Sequence, residues 1–324
     1  MQPTRISSLD GLRGIACLMV VFYHYLFRYG EIYNTYQFNY FKDFNAGVEI
    51  FFFISGFVIY MTLPKAKNTL HFFALRSIRL LPTYWVCLII SYSIITFFGL
   101  PGREVNLNEF LLNFLLFHQA FGIPNVDGVY WSLVVEFIFY FWIGVMYFFS
   151  KKYKLQIKYF FLLWLVLASI FYSDLDGLLY IFNKSLILEF IPSFICGIYF
   201  YKIMNEEKSL SNIIILIISY FAILVTNEFA VFIPLLLLPF FISSNSLSNF
   251  LSNNVLRFFG TISYPLYLVH QNIGYIVITF LINNGFEIFL SVFLALAISV
   301  LISIFVNKYF ELSLSRKLKN IFRI

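Results

Sequence analysis

The dominant pattern along the chain is a series of apolar stretches separated by short polar connections. They fall at 12–28, 47–63, 83–100, 129–149, 159–173, 186–201, 212–227, 229–243, 264–282 and 288–307. Each approaches the ~20 residues that a helix needs to cross a bilayer. The pattern predicts an all-α, polytopic integral membrane protein with about ten transmembrane helices. The turn at Asn227 and Glu228 is tight, and 229–243 contains Pro234 and Pro239, so these boundaries are soft. Two connections are more than linkers. Residues 71–82 would place Arg76 and Arg79 on one face of an interfacial helix. Residues 107–121, apolar with scattered polar positions, would form a re-entrant or surface helix on the opposite side. No internal repeat or low-complexity tract interrupts the series. The expected organisation is therefore one transmembrane domain over 1–324 with no fused soluble domain.

Composition excludes a soluble alternative. Hydrophobic residues make up 61% of the chain and aromatic residues 22%, whereas charged residues are only 12%. A soluble domain carries about 25% charged residues. The 44 Phe and 23 Tyr suit lipid-facing and interfacial positions. Met1–Arg13 followed by an apolar run imitates a signal peptide. The run nevertheless continues through Tyr23, His24 and Tyr25 with no small-residue cleavage pattern, so it reads as a retained first span.

The net charge of +6 does not imply nucleic acid, because the basic residues lie in short clusters between apolar runs with no binding motif. With the N-terminus inside, Arg28, Lys42, Arg103 and Lys184 fall on one side and the other 18 of 22 Lys and Arg on the opposite side. The positive-inside rule makes the rich side cytoplasmic, which puts both termini there. Cys17, Cys87 and Cys196 are far apart in apolar runs and read as inert thiols rather than a metal or redox site.

Ionisable residues within spans are costly and ask for an explanation. His24 lies about 16 Å above Arg13 along the same helix, near the middle of the bilayer. A neutral imidazole there can accept a proton, or can be a packing histidine bonded to a neighbour. Glu136 lies about 10 Å below the outer boundary of its span, a depth compatible with His24. It can orient an imidazole or belong to a structural pair. Arg13, Arg76 and Arg79 are three guanidiniums at one interface. They suit phosphate recognition, and anchoring to anionic lipid explains them equally well one by one. His270 reads as packing or as support behind a catalytic group, with packing favoured, Asp10 as a helix cap and Glu49 as a solvated carboxylate at the outer mouth of the second span. His71 and His118 carry no special signal. These readings do not separate an acyltransferase from a transporter.

Several of these residues sit in strings that resemble the acyltransferase family 3 membrane proteins. Ile6–His24, with Arg13 and His24 separated by ten residues, resembles the family's opening signature. Gly47-Val-Glu-Ile-Phe-Phe-Phe-Ile-Ser-Gly56 and Arg76-Ser-Ile-Arg-Leu-Leu-Pro-Thr-Tyr-Trp85 look like its second-span and arginine-pair motifs. Trp131-Ser-Leu-Val-Val-Glu-Phe-Ile-Phe-Tyr140 and Ser263-Tyr-Pro-Leu-Tyr-Leu-Val-His270 resemble two further blocks, in family order.

The resemblance implies a multi-pass enzyme of the bacterial inner (plasma) membrane. It would O-acylate a polysaccharide, such as lipopolysaccharide O-antigen, or a lipid-linked glycan, with acetyl-CoA or another acyl-CoA as co-substrate and no permanent cofactor or metal. His24 becomes the catalytic residue, Glu136 its active-site partner, and Arg13, Arg76 and Arg79 the coenzyme A contacts. Polysaccharide-assembly proteins become candidate partners. The competing readings are a transporter or flippase for a glycan or lipid-linked sugar, and a non-catalytic assembly subunit. Intact Arg13, His24 and Glu136 count against the latter.

Overall fold

The computed structural model describes residues 6–171, 177–206, 208–227, 229–311, 313–314 and 317. Glu228 at the tight turn, the end of the fifth predicted run (172–173), and Arg5, Arg316, Lys319 and Arg323 of the basic side lie outside the described residues. Each of the ten predicted runs coincides with a helix. In chain order the helices are α1 (Ser7–Tyr33), α2 (Asn39–Lys65), α3 (Thr69–Phe98), α4 (Leu107–Asn113), α5 (Gly128–Tyr153) and α6 (Lys158–Phe171). They continue with α7 (Tyr180–Asn205), α8 (Leu210–Thr226), α9 (Val231–Ser243), α10 (Asn245–Leu251), α11 (Asn254–Asn283) and α12 (Ile288–Glu311). Among the described residues there is no strand.

Length separates these helices in a way that hydropathy does not. Seven (α1, α2, α3, α5, α7, α11 and α12) are long and apolar enough to cross a membrane. The pair α9 and α10, bent by 104°, makes an eighth if it is one broken span. Helices α6 and α8 are apolar but have only 14 and 17 residues. At 1.5 Å per residue they reach about 21 and 26 Å, short of a ~30 Å core.

Two connections differ in outcome. Residues 71–82 are not a separate interfacial helix but the opening of α3, which runs on through Pro82. A proline inside a membrane helix is tolerated where neighbouring groups compensate for the lost N–H. Residues 107–121 do form a surface element, α4 followed by a 3₁₀ turn at His118–Phe121. Asn106 and Glu109 close a reciprocal cap at its start. Tyr84 Oη donates to Asn113 O at 2.6 Å, tying its end to α3. Leu107, Leu111, Leu115 and Phe121 remain exposed.

The chain forms two compact units. The first comprises Met1–Gly47, Ser77–Val134 and Leu251–Ile324, and the second Val48–Arg76 and Val135–Phe250. In the first, α11 packs on both α1 and α12. The α1–α11 seam is set by small residues. A Cβ on Gly260 would come within 1.9 Å of Asp10 O, and one on Gly274 within 2.2 Å of the Tyr25 hydroxyl. Packing rather than hydrophobicity drives helix association in lipid, and small residues let backbones approach. The second unit repeats the device. A Cβ on Gly56 would meet Phe194 O at 2.0 Å, and one on Gly197 would meet Phe53 O at 2.0 Å. Around this seam Phe194 stacks on Phe139 at 4.0 Å and on Phe52 at 4.7 Å between ring centroids.

Candidate active site

In the first unit α1 changes its winding from α to π over Tyr23–Arg28, and His24 is the second residue of that segment. A π turn swings side chains out of the regular α register and frequently marks a functional site. Tyr25 fixes the segment against α11 and α12. Its hydroxyl donates to His270 O at 2.8 Å and lies 3.0 Å from Ser299 Oγ. The ring has room because position 274 is glycine.

His24 and His270 come together here. His270 is fully buried, and its Nδ1 lies 2.8 Å from Tyr267 O and 3.1 Å from Leu266 O. Carbonyl oxygens only accept, so Nδ1 of His270 carries the proton and Nε2 of the neutral ring carries a lone pair. That Nε2 is 3.0 Å from His24 Nδ1, which is also 2.9 Å from Val20 O. Both neighbours accept, so His24 Nδ1 is the donor. The lone pair of His24 is therefore on Nε2, which makes no hydrogen bond among the described residues and is not enclosed. The half-buried ring is held on one side and offers a proton acceptor on the other.

A polar cluster on the same unit surrounds the start of α5. Asp127 is fully buried; Oδ1 accepts from Val129 N–H at 3.3 Å and Oδ2 from Asn272 N–H at 3.1 Å. Burial pushes its carboxyl up to about 7, against the two backbone hydrogen bonds and the charge of Arg103. The Asn272 side chain donates to Val126 O at 2.8 Å and accepts from Arg103 Nη1 at 3.1 Å. The Arg103 guanidinium lies over the Tyr275 ring, 5.2 Å from its centroid.

In the second unit, Glu136 on α5 is held by two hydroxyls. Ser55 Oγ donates to its Oε1 at 2.8 Å, and Tyr140 Oη donates to the same oxygen. Its Oε2 makes no hydrogen bond among the described residues and is not enclosed. Arg76 is buried, donates to Thr62 Oγ1, and lies between the rings of Phe72 and Tyr140 at 5.4 and 5.9 Å. Such a guanidinium is engaged with its own fold. Glu49 is buried at 5% exposure rather than solvated, because α2 carries it into the packed interior.

Arg13 and Arg79, both half-exposed, belong to the first unit. Arg13 Nη1 is 3.9 Å from Asp10 Oδ1, and Arg79 makes no hydrogen bond or ion pair among the described residues. Asp10 does not cap α1: the helix starts after Ile6, so Asp10 is already in its first turn and faces Arg13 instead. All three cysteines are free and buried, and Cys17 Sγ donates to Ser263 O at 3.5 Å. His118 is a fold residue, buried between Leu115 O and Asn125 Oδ1.

Of the two sequence expectations for His270, packing or support behind a catalytic group, the contact with His24 fits the second, whereas Asp127 carries no signal in the sequence. His270 was visible as an intramembrane histidine, but its partner is 246 positions away, a pairing that only the packing of α1 on α11 supplies.

The chain is 28% identical to the exopolysaccharide production protein ExoZ of Rhizobium meliloti (strain 1021) over 167 residues, covering 48% of this chain and 51% of that protein. It is 28% identical to the peptidoglycan O-acetyltransferase OatA of Listeria monocytogenes serovar 1/2a over 153 residues, covering 42% of this chain and 23% of OatA. The matches thus span about half of the first relative and a quarter of the second. No solved structure matches the chain. The family model described as an acyltransferase domain matches residues 6–308, nearly the whole length, and the chain belongs to acyltransferase family 3.

Proposed function

We propose that the protein is a membrane O-acyltransferase that moves an acyl group, acetyl in the first instance, from acyl-CoA to a hydroxyl of a cell-surface polysaccharide or lipid-linked sugar. One observation carries the reading: His24 Nε2 is an open proton acceptor on a ring whose other nitrogen is held by Val20 O and His270. The names of the two relatives, one for exopolysaccharide production and one for peptidoglycan O-acetylation, supply the glycan class.

In the proposed reaction, His24 Nε2 removes the proton from the sugar hydroxyl as its oxygen attacks the thioester carbonyl. A C–O bond forms, the C–S bond breaks, and the thiolate of coenzyme A leaves with the proton that His24 carries. Arg13 and Arg79 are the direct phosphate contacts, reached from the cytoplasmic side expected from the loop charges. Arg76, already engaged with Thr62, ties the start of α3 to the end of α2. Glu136 is the second catalytic group, and its Oε2 is the atom left to act.

Purified protein in liposomes, given radiolabelled acetyl-CoA and an oligosaccharide acceptor, should release coenzyme A and label the sugar, and His24→Ala should do neither at unchanged folding. A wild-type protein that moves the oligosaccharide across the membrane without consuming acetyl-CoA would be the transporter instead.

A further inference from the structure

We infer that Arg103, with Gln271 beneath it, forms an acceptor subsite that selects glycans carrying a carboxylate, that is, uronic acid residues. The inference rests on the acyltransfer reading above and deepens it by naming the acceptor chemistry.

Three observations converge. Arg103 is one of the four cationic residues on the side expected to face outward, and no carboxylate lies within ion-pair distance of it among the described residues. Its neighbours are a neutral amide oxygen on Asn272, the face of Tyr275 and the Tyr33 side chain. The neighbouring carboxylates are turned elsewhere: Glu104 Oε1 accepts from Leu100 N–H, and Asp127 accepts from two backbone N–H groups. Arg28, by contrast, is already paired with Glu31.

Second, Gln271 is only 4% exposed and its Oε1 accepts no hydrogen bond, an unmet cost in the interior. Third, these polar atoms meet over a missing side chain. A Cβ on Gly128 would come within 2.6 Å of Gln271 Oε1 and 3.3 Å of Arg103 Nη1. Asn272, which accepts from Arg103, stands two residues after the His270 that bonds His24.

A guanidinium fork matches one carboxylate bidentately, whereas a diphosphate would call for several cations. A uronate residue therefore fits: its carboxylate on Arg103, a hydroxyl donating to Gln271 Oε1 as that amide turns out from under Gly128, and a further hydroxyl presented to His24 Nε2. Bound this way, the acceptor supplies a carboxylate at ion-pair distance from Arg103 and a donor to Gln271 Oε1, neither of which is found among the described residues.

The test uses two tetrasaccharides that differ only at C6, cellotetraose and its oxidised counterpart tetraglucuronate. Their binding is read from thermal-midpoint shifts of the purified protein and their acylation from transfer of radiolabelled acetyl. Wild type should bind tetraglucuronate at least tenfold more tightly than cellotetraose. Arg103→Gln should abolish the preference, and Arg103→Lys should keep part of it. His24→Ala should keep the preference and transfer nothing. Equal binding of both sugars by wild type, or a preference that survives Arg103→Gln in a protein with an unchanged unliganded midpoint, overturns the subsite. Arg103-dependent binding of tetraglucuronate with no transfer from acetyl-CoA leaves the subsite standing and removes the acyltransfer reading. Transfer to cellotetraose regardless of Arg103 does the reverse.

Discussion

The two units each hold one of the groups proposed for catalysis by half of its polar atoms. In the first, His24 is fixed through Nδ1 and leaves Nε2 open; in the second, Glu136 is fixed through Oε1 and leaves Oε2 open. The difference lies in what does the holding. His24 is held by acceptors, a carbonyl and an imidazole nitrogen, and this dictates where its proton sits. Glu136 is held by donors, the Ser55 and Tyr140 hydroxyls, and these fix direction without adding a proton to the open oxygen. Asp127 and His270 form the contrast to both, since every polar atom of their side chains is engaged. The two groups proposed for catalysis each keep one polar atom open, and Asp127 and His270 keep none.

The comparison breaks most decisively at His24. His24→Ala should lower acetyl transfer about 10³-fold, the scale of general acid–base catalysis, in a kcat assay with the thermal midpoint unchanged. His270→Ala removes the acceptor that orients the ring without touching Nε2. It should cost about 10²-fold in kcat with little change in KM, and His270→Gln, whose amide oxygen still accepts, should recover part of the loss. Glu136→Gln keeps an amide oxygen for Ser55 and Tyr140 but replaces the open oxygen with a donor. An effect of about 10-fold to 10²-fold on kcat at constant thermal midpoint is expected; a loss of midpoint with full activity would make Glu136 an anchor only.

The smallest effect is on stability alone and belongs to Asp127. Its carboxyl holds a proton up to about pH 7 in the folded chain, against an ordinary value of 3.8. The folded state thus binds the proton that the unfolded state has released, and this contribution, full below the ordinary value, is lost as pH rises to about 7. Thermal midpoints of wild type should fall over that window relative to those of Asp127→Asn, which has no proton to lose.

Much of this was legible in the sequence. Apolar run length located ten of the helices, though not α4 or α10, because a lipid-facing segment must satisfy its backbone internally and be apolar throughout. Helices α6 and α8 and the bent pair α9–α10 show where that signal stops, since hydropathy reports composition and not the length of unbroken helix. In the 71–82 segment a proline and two arginines look like a helix end, yet α3 continues past all three. His24 stood out through its cost in lipid and its spacing from Arg13. Its tautomer did not, because Val20 O is a local neighbour while His270 comes from the other end of the chain. The π turn at Tyr23–Arg28 left no mark in the apolar pattern, which runs through it unbroken.

The central claim is tested most directly by ¹⁵N NMR of histidine-labelled protein in detergent micelles, with the His24 ring assigned by comparison against His24→Ala among only four histidines. The account predicts a neutral ring protonated on Nδ1, with Nε2 showing the chemical shift of an unprotonated nitrogen. A His24 ring carrying its proton on Nε2 would contradict it, because the open atom would then be a donor and could not take the proton of an attacking hydroxyl.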